Sequence, residues 1–284
     1  MYSTLAIRES SKHSGKIVGT HQKLDRIARK TLSKSLDGRY FPSTKEILHF
    51  EGMRGPDGLK RKSPGKDEPM HFILPDHDDG ELIKLIKNHQ YNLKRALRFT
   101  AEPNSENSAS DPCNNPVRAA FEAAWLAHAI TDGLTPAHHF PLSEAQNELM
   151  TEKEFVTVFG VPVKGIMHGR STSETLRNNW LYWGADGYMS KHIAFEYGVA
   201  ITMTALPDRV FVPKLSHADQ EKLKNPATID LSAEFYHSLR IIADLDMYTR
   251  FRTDGWTTEL ALETKKVLLP EIIRCIMMGW GSAL

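Results

Sequence analysis

The sequence has little cysteine and no long apolar run, and each shortage excludes a class of protein. Only two of its 284 residues are cysteines, Cys113 and Cys275, too few for a disulfide framework or a cysteine-built zinc finger. No uncharged apolar run approaches the roughly 20 residues that a membrane-spanning helix needs. The first residues, MYSTLAIRESSKHSGK, also lack the apolar segment of a classical signal peptide. We therefore expect a cytoplasmic or otherwise soluble protein that does not span a membrane.

Histidine, by contrast, is abundant, with 13 residues in the chain. Imidazoles are mostly neutral at pH 7, the form in which they bind metal ions. The net charge is only +1, but the first 70 residues contain 15 Lys and Arg against 8 Asp and Glu. This basic quarter suits a phosphate-bearing partner, and it equally suits an ordinary solvated surface.

The spacing of apolar residues predicts an all-α protein. Helices are predicted over residues 21–36, 79–99, 116–132, 173–201, 231–250 and 256–279. Asn115 and Pro116 are typical of a helix start, and Gly184 or Gly187 offers a break in the fourth helix. Only FVTVFGVPV at 155–163 alternates as strands do, which predicts one hairpin.

Two loop-like stretches, 50–80 and 101–116, interrupt the helical pattern without dividing the chain. Both are rich in glycine, proline or polar residues. The helices on either side are too few for separate cores, so a single domain over 1–284 is predicted. The helices of 202–284 carry no identifiable chemistry and are expected to complete the core.

Three pairs of histidine and acid stand four residues apart on predicted helices: His21/Asp25, His128/Asp132 and His192/Glu196. Residues at this spacing share one helix face, so two ligands can grip one ion. A single pair of this kind is more often an accident or a surface contact. The set of three is what makes metal binding a hypothesis.

Of the three pairs, His128 and Asp132 have the neighbours that most favour a metal site. His128 and Asp132 lie on the apolar stripe of helix 116–132, and a buried ionised aspartate is costly unless something positive meets it. A His–Asp hydrogen bond would satisfy both without metal. However, the turn after Gly133 brings His138 just beyond the helix end, which adds a third potential ligand. Tetrahedral zinc readily takes histidine nitrogen and carboxylate oxygen.

The segment HAITDGLTPAH at 128–138 resembles the HxxxD-x5-H core of the zinc-dependent phospholipase C and single-strand-specific nuclease family. HQKLDRIARKTL from His21 resembles the first-helix histidine of that family. MHF at 70–72 followed by PD at 75–76 resembles its HF-x-x-PD segment. Asp57, in GPDGLK, falls where the family has a zinc-binding aspartate, and HIAFE at 192–196 resembles its closing HxxxE pair. The motifs follow the family's order and span residues 21–196.

The resemblance implies a helical fold of the phospholipase C type with two to three zinc ions and eight ligands. One ion would be held by Asp57, His71, His128 and Asp132. A second would be held by His138, His192 and Glu196. The third would use His21 and share Asp132 as a bridge. No other cofactor and no stable protein partner is implied.

Several ligand assignments stay open. In secreted members of the family an N-terminal tryptophan completes the third site, whereas the first tryptophan here is Trp125. That site is therefore weak, absent or completed by Asp25. His168 is a rival to His192, which is preferred because a carboxylate lies one turn beyond it.

Other positions compete for supporting roles. Glu51 and Glu68 are rivals to Asp57 in the same loop. His77 and His139 adjoin expected ligands and are candidates for orienting them. His89 lies on an apolar stripe and is expected to be a core residue with a satisfied hydrogen bond.

The implied activity is hydrolysis of a phosphodiester, either phospholipid or single-stranded nucleic acid. Zinc would polarise the phosphoryl oxygen and lower the pKa of a bound water, and Asp57 would be the catalytic residue that orients or deprotonates that water. Trp180, Tyr182 and Trp183 are candidates to stack a base or border a headgroup. Helix packing is the competing expectation for at least two of these three.

Two other classes of protein remain possible from the sequence. A non-catalytic helical protein could use the same ligands as structural zinc sites, which are closed rather than open to water. A metal-free nucleic-acid-binding protein could use the basic first quarter instead. Bound metal would exclude the metal-free nucleic-acid-binding protein, whereas both the phosphodiesterase and the structural zinc protein require it.

Overall fold

A computed structural model describes residues 19–51, 55–56, 73–75, 80–101, 115–140, 148–149, 157–158, 161–162 and 166–284. These residues are mostly helical, which confirms the all-α prediction. The helices are α1 (Thr20–Leu32), α2 (Thr44–His49), α3 (Gly80–Ala101), α4 (Pro116–Leu134), α5 (Thr172–Trp183), α6 (Tyr188–Thr204), α7 (His217–Lys224), α8 (Leu231–Ala243), α9 (Met247–Asp254), α10 (Thr258–Glu263) and α11 (Leu269–Gly281).

Short 3-10 turns and a small hairpin complete the described structure. The 3-10 turns are Ser33–Ser35, Pro136–His139, Asp208–Val210 and Pro226–Thr228, and a π-helical stretch, Thr264–Leu268, joins α10 to α11. Strands β1 (Thr157–Val158) and β2 (Val161–Pro162) pair antiparallel. This pairing confirms the hairpin predicted at 155–163.

Helix α4 lies at the centre of the fold. It begins as the sequence predicts, with the Asn115 side chain accepting a hydrogen bond from the Arg118 amide and Pro116 in the first turn. Its many buried alanines let α3 and α11 pack closely on it. Trp280 of α11 is fully buried, and its indole Nε1 donates to the Ala123 carbonyl at 2.8 Å, which joins the two helices.

Gly133 allows a close approach near the end of α4. A Cβ at this position would lie 2.5 Å from Leu82 of α3 and 2.8 Å from the Phe235 ring of α8. Those distances leave no room for a larger residue. The glycine therefore sets how tightly two neighbouring helices pack beside the stretch that carries His128 and Asp132.

Helix α1 is tied to the C-terminal end of α6 by a buried lysine. The Lys23 ammonium donates to the carbonyls of Met203 and, at 2.9 Å, of Leu206. Burial lowers the pKa of Lys23, while Asp208 acts in the opposite direction. These contacts hold α1 against the helix that carries His192 and Glu196.

Two long helical segments are interrupted. The predicted helix 173–201 is broken between Gly184 and Gly187, as expected, and a Cβ on Gly187 would lie 2.5 Å from the Tyr182 carbonyl oxygen. The predicted helix 231–250 is not continuous, because Asp246 adopts a left-handed conformation with φ of 46° between α8 and α9. Continuity across that point was a wrong prediction.

The C-terminal helices contribute heavily to the core. The main cluster of buried apolar side chains extends from Leu24 to Ala283, and residues of α8 and α11 form a large part of it. Arg274 of α11 binds Glu234 of α8 at 2.8 Å and Asp219 of α7 at 3.1 Å. Among the described helices, none combines the length and apolar character that a membrane span requires.

Candidate metal centre

His128 and Asp132 face inward from α4, one turn apart, and both are almost fully buried. Their Nε2 and Oδ2 atoms lie 3.2 Å apart. The carboxylate therefore has no access to bulk water. Its charge has to be balanced by groups within the protein or by a bound cation.

His21 of α1 reaches the same carboxylate from the other side. Its Nε2 lies 3.3 Å from Asp132 Oδ1, so the two carboxylate oxygens face two different imidazoles. The rings of His21 and His128 stack with centroids 4.2 Å apart. We call His21, His128 and Asp132 the Asp132 triad; each offers one ligand atom, and these atoms lie within 4.8 Å of one another.

A second group lies just beyond the end of α4. His138, in the 3-10 turn, and His192, on α6, both place Nε2 3.1 Å from Glu196 Oε1. Their ligand atoms again lie within 4.8 Å of one another. We call His138, His192 and Glu196 the Glu196 triad. His138 and His192 are buried, and Glu196 is largely so.

A short turn links the two triads. The Thr135 amide donates to the Asp132 carbonyl at 3.0 Å, and the His138 amide donates to the Thr135 carbonyl at 2.8 Å. The Ile73 amide donates to the His138 carbonyl at 3.1 Å, which fixes the turn from outside. The path from α4 to His138 is thus held by backbone hydrogen bonds.

Histidines set the charge state of both triad carboxylates. Burial opposes ionisation of Asp132, but the charges of His128 and His138 and hydrogen bonds from His128 and His21 hold its pKa well below the usual value. Burial likewise opposes ionisation of Glu196, and His192 and His138 lower its pKa. Both carboxylates are therefore ionised at neutral pH.

Two further buried carboxylates stand beside the Asp132 triad. Glu51, which follows α2, places Oε1 2.8 Å from His128 Nδ1. Asp25 lies one turn from His21 on α1 and is also buried. Burial and the nearby Glu51 charge raise the pKa of Asp25 well above its usual value, with His128 acting against them.

The donor atoms of both triads fit a metal ion. Zinc binds histidine nitrogen and carboxylate oxygen at about 2.0–2.2 Å, so two ligands of a tetrahedral ion lie roughly 3.4 Å apart. The nitrogen-to-oxygen distances of 3.1–3.3 Å are close to that spacing. Glu196 Oε2 and His21 Nδ1 are buried and have no hydrogen-bond partner among the described residues. The triads could therefore bind metal.

Six of the eight ligands expected from the sequence fall into the two triads. The two oxygens of Asp132 face His21 and His128, which is the arrangement that a bridging carboxylate would need. Asp57 and His71 lie outside the described residues, as do Glu68 and His77. His168, the rival to His192, is not a member of the Glu196 triad.

Some supporting roles differ from the expectation. Glu51, considered as a rival to Asp57, instead contacts His128, a role that no helical spacing could reveal. His139 was a candidate for orienting a ligand; its Nε2 donates to the Gly133 carbonyl at 3.0 Å. His89 is buried with Nδ1 2.5 Å from Glu122 Oε2, as a satisfied core histidine should be.

The aromatic group on α5 is more exposed than expected. Tyr182 is buried, but Trp180 is 72% exposed and Trp183 is 37% exposed. Packing is therefore confirmed for Tyr182 and not for Trp180, while Trp183 is partly exposed and contacts the Tyr182 ring at 5.0 Å between centroids. Two indoles on α5 face solvent.

Comparison with known proteins gives no match: no family model fits the chain, and neither a characterised protein nor a solved structure is significantly similar to it.

Proposed function

We propose that the chain is a zinc-dependent phosphodiesterase of the phospholipase C and single-strand-specific nuclease type. The observation that carries the proposal is the pair of buried triads joined by the turn from Asp132 to His138. Two sets of nitrogen and oxygen ligands on adjoining elements are what a multi-zinc hydrolase requires.

The burial of the ligands supports metal binding over simple hydrogen bonding. In the Glu196 triad, two imidazole Nε2 atoms approach one carboxylate oxygen at 3.1 Å each. In the Asp132 triad, each carboxylate oxygen faces its own imidazole. Two further buried acids, Glu51 and Asp25, adjoin the Asp132 triad. A bound cation would balance the charge of the ionised triad carboxylates.

Each residue has a definite part in the proposed reaction. The two triads would hold two to three zinc ions, with His71 and Asp57 as further ligands at the Asp132 triad. Bound zinc supplies Lewis-acid polarisation of a phosphoryl oxygen and acidifies a water molecule. Asp57 would orient the attacking water and accept its proton. The Glu51 carboxylate already contacts His128, which favours Asp57 over Glu51 as the base.

The proposed substrate is a phosphodiester attached to a flat group, such as a nucleobase, or to an apolar group, such as a lipid. The exposed indoles of Trp180 and Trp183 suit either stacking on an unpaired base or contact with a lipid headgroup region. Both phospholipid and single-stranded nucleic acid are therefore substrates to test.

Hydrolysis of a substrate panel tests the proposal. The zinc-loaded protein should hydrolyse bis-p-nitrophenyl phosphate and at least one of phosphatidylcholine vesicles, single-stranded DNA or RNA, and chelation should abolish the activity. Asp57→Asn keeps the size of the side chain but removes the charge of the base, and should lower the rate roughly 100-fold or more.

A matched control and two contrary outcomes make the test decisive. Asp244→Asn makes the same change at an exposed position after α8, and should retain the parent rate. Full activity in Asp57→Asn would show that Asp57 is not the base. A zinc-loaded parent that hydrolyses none of the substrates would indicate that the triads are structural zinc sites.

A further inference from the structure

The contact between Glu51 and His128 is one of the most deeply buried polar contacts in the described structure. Both side chains are 1% exposed, and Glu51 Oε1 lies 2.8 Å from His128 Nδ1. Glu51 Oε2 is also buried and has no hydrogen-bond partner among the described residues. Burying a carboxylate costs free energy unless hydrogen bonds or an opposite charge stabilise it.

The local fold holds Glu51 in place. Helix α2 is capped by Ser43 and Glu46 in a reciprocal capping box, and Ile47 is fully buried. The amides of Phe50 and Glu51 donate to the carbonyls of Ile47 and Leu48 at 2.9 and 3.4 Å. The side chain of Glu51 therefore starts from a fixed backbone.

This contact selects one tautomer of His128. An ionised carboxylate only accepts hydrogen bonds, so His128 Nδ1 carries the proton and donates it to Glu51. In the neutral ring Nε2 then has a lone pair, and it faces Asp132 Oδ2 at 3.2 Å. Without a metal ion, an imidazolium ring donates from both nitrogens, to Glu51 and to Asp132. A zinc ion bound to Nε2 would take the place of the Nε2 proton, and Nδ1 would still donate to Glu51.

We propose that Glu51 is a positioning residue that fixes the orientation and tautomer of His128 so that Nε2 is presented to the metal ion of the Asp132 triad. The inference rests on the proposed function only in that His128 binds metal. A carboxylate that accepts from the far nitrogen of a ligating histidine also makes that histidine a stronger ligand. Glu51 thereby raises the zinc affinity of the Asp132 triad without touching the metal.

The chain contains a matched control for this contact. His89 Nδ1 and Glu122 Oε2 form a second buried histidine–carboxylate pair, 2.5 Å apart, and neither residue belongs to a triad. Glu122 also pairs with Arg118. Replacing Glu122 removes the same kind of buried charge from a place where no metal is proposed.

Zinc affinity measured by competition with a chromophoric chelator tests the proposal. Glu51→Gln should weaken one class of zinc site about 10- to 100-fold and leave the remaining zinc at its parent affinity. Glu122→Gln should leave the zinc affinity of every class of site unchanged. Cobalt-substituted Glu51→Gln should also show an altered visible spectrum, because a reoriented imidazole changes the ligand field, while cobalt-substituted Glu122→Gln should not.

A measurement on the parent protein removes any dependence on how well the variant folds. Long-range proton–nitrogen NMR of the zinc-loaded protein reports which ring nitrogen carries the proton. The His128 signal, identified by its absence from His128→Gln, should show a protonated Nδ1. A protonated Nε2 on His128 would overturn the proposal, as would unchanged zinc affinity in Glu51→Gln.

These failures differ from failure of the proposed function. If the parent binds zinc and hydrolyses phosphodiesters while Glu51→Gln matches it in affinity, only the positioning role is lost. If the parent binds no zinc, both the positioning role of Glu51 and the proposed function are contradicted.

Discussion

His21 and His128 stack their imidazole rings face to face, with centroids 4.2 Å apart and 14° between the ring planes. Their Nε2 atoms reach different oxygens of one carboxylate, that of Asp132. Two protonated imidazoles would repel each other in this arrangement, whereas two neutral imidazoles can both direct a lone pair at a cation. The stack thus fits a pair of metal ligands from α1 and α4.

The shared carboxylate predicts how zinc is lost when each triad is damaged. Asp132→Asn should lower the bound zinc by one to two ions, because both oxygens of Asp132 face an imidazole. Glu196→Gln should lower it by one ion. Each variant keeps the other triad as its internal control, and mass spectrometry of the metal content measures both. Equal loss of all zinc in both variants would show that the triads do not bind separately.

Chelation should lower the stability of the parent protein. Metal that binds only the folded state adds to the free energy of unfolding, by about 4 kcal/mol for an ion present at 1,000 times its Kd. Thermal melting with zinc and with a chelator measures the difference. His128→Ala should lose most of the gain, and His217→Ala, at an exposed position on α7, should retain it. Identical parent melting curves in the two conditions would contradict this prediction.

The sequence predicts the helices of the centre well because their signals are local. The cap at Asn115, the periodic apolar stripe and the break after Trp183 are all encoded within a few residues of where they act. The left-handed turn at Asp246 between α8 and α9 is not registered by the apolar periodicity on which the helix prediction rests.

The ligand histidines could be predicted for the same reason, whereas Glu51 could not. His128 and Asp132 are one helical turn apart, so their spacing carries the information. Glu51 meets His128 only after α2 packs near α4, and nothing in its own surroundings marks that contact. The exposure of Trp180 also depends on packing, since apolar side chains are usually expected to be buried.

The half-buried ring of His139 predicts a pH dependence of stability. Burial lowers its pKa to about 4, with the Gly133 hydrogen bond opposing and His138 adding to the shift. The unfolded chain binds this proton near pH 6.5, so stability is unaffected above that pH and falls as the pH drops towards 4. Between pH 7 and 5 the loss should be about 1–2 kcal/mol.

His139→Gln provides the comparison for that prediction. The glutamine amide can still donate to Gly133 but does not titrate. Urea unfolding of the chelated proteins at pH 7 and pH 5 should show a smaller loss in the variant. Equal losses would mean that His139 does not contribute.

The unequal burial of two aromatic residues on α5 predicts unequal costs of truncation. Tyr182→Ala should lower the free energy of unfolding by about 3 kcal/mol or more, because it empties a buried site. Trp180→Ala should change it by about 0.5 kcal/mol or less, as exposed positions usually do. Urea unfolding measures both, and a large loss in Trp180→Ala would show that this indole packs against the protein.

The metal content of the purified protein tests the central claim most directly. After gel filtration, inductively coupled plasma mass spectrometry should find two to three zinc ions per chain, held by the Asp132 and Glu196 triads and their further ligands. Fewer than one ion per chain, with none regained when zinc is added, would contradict the account.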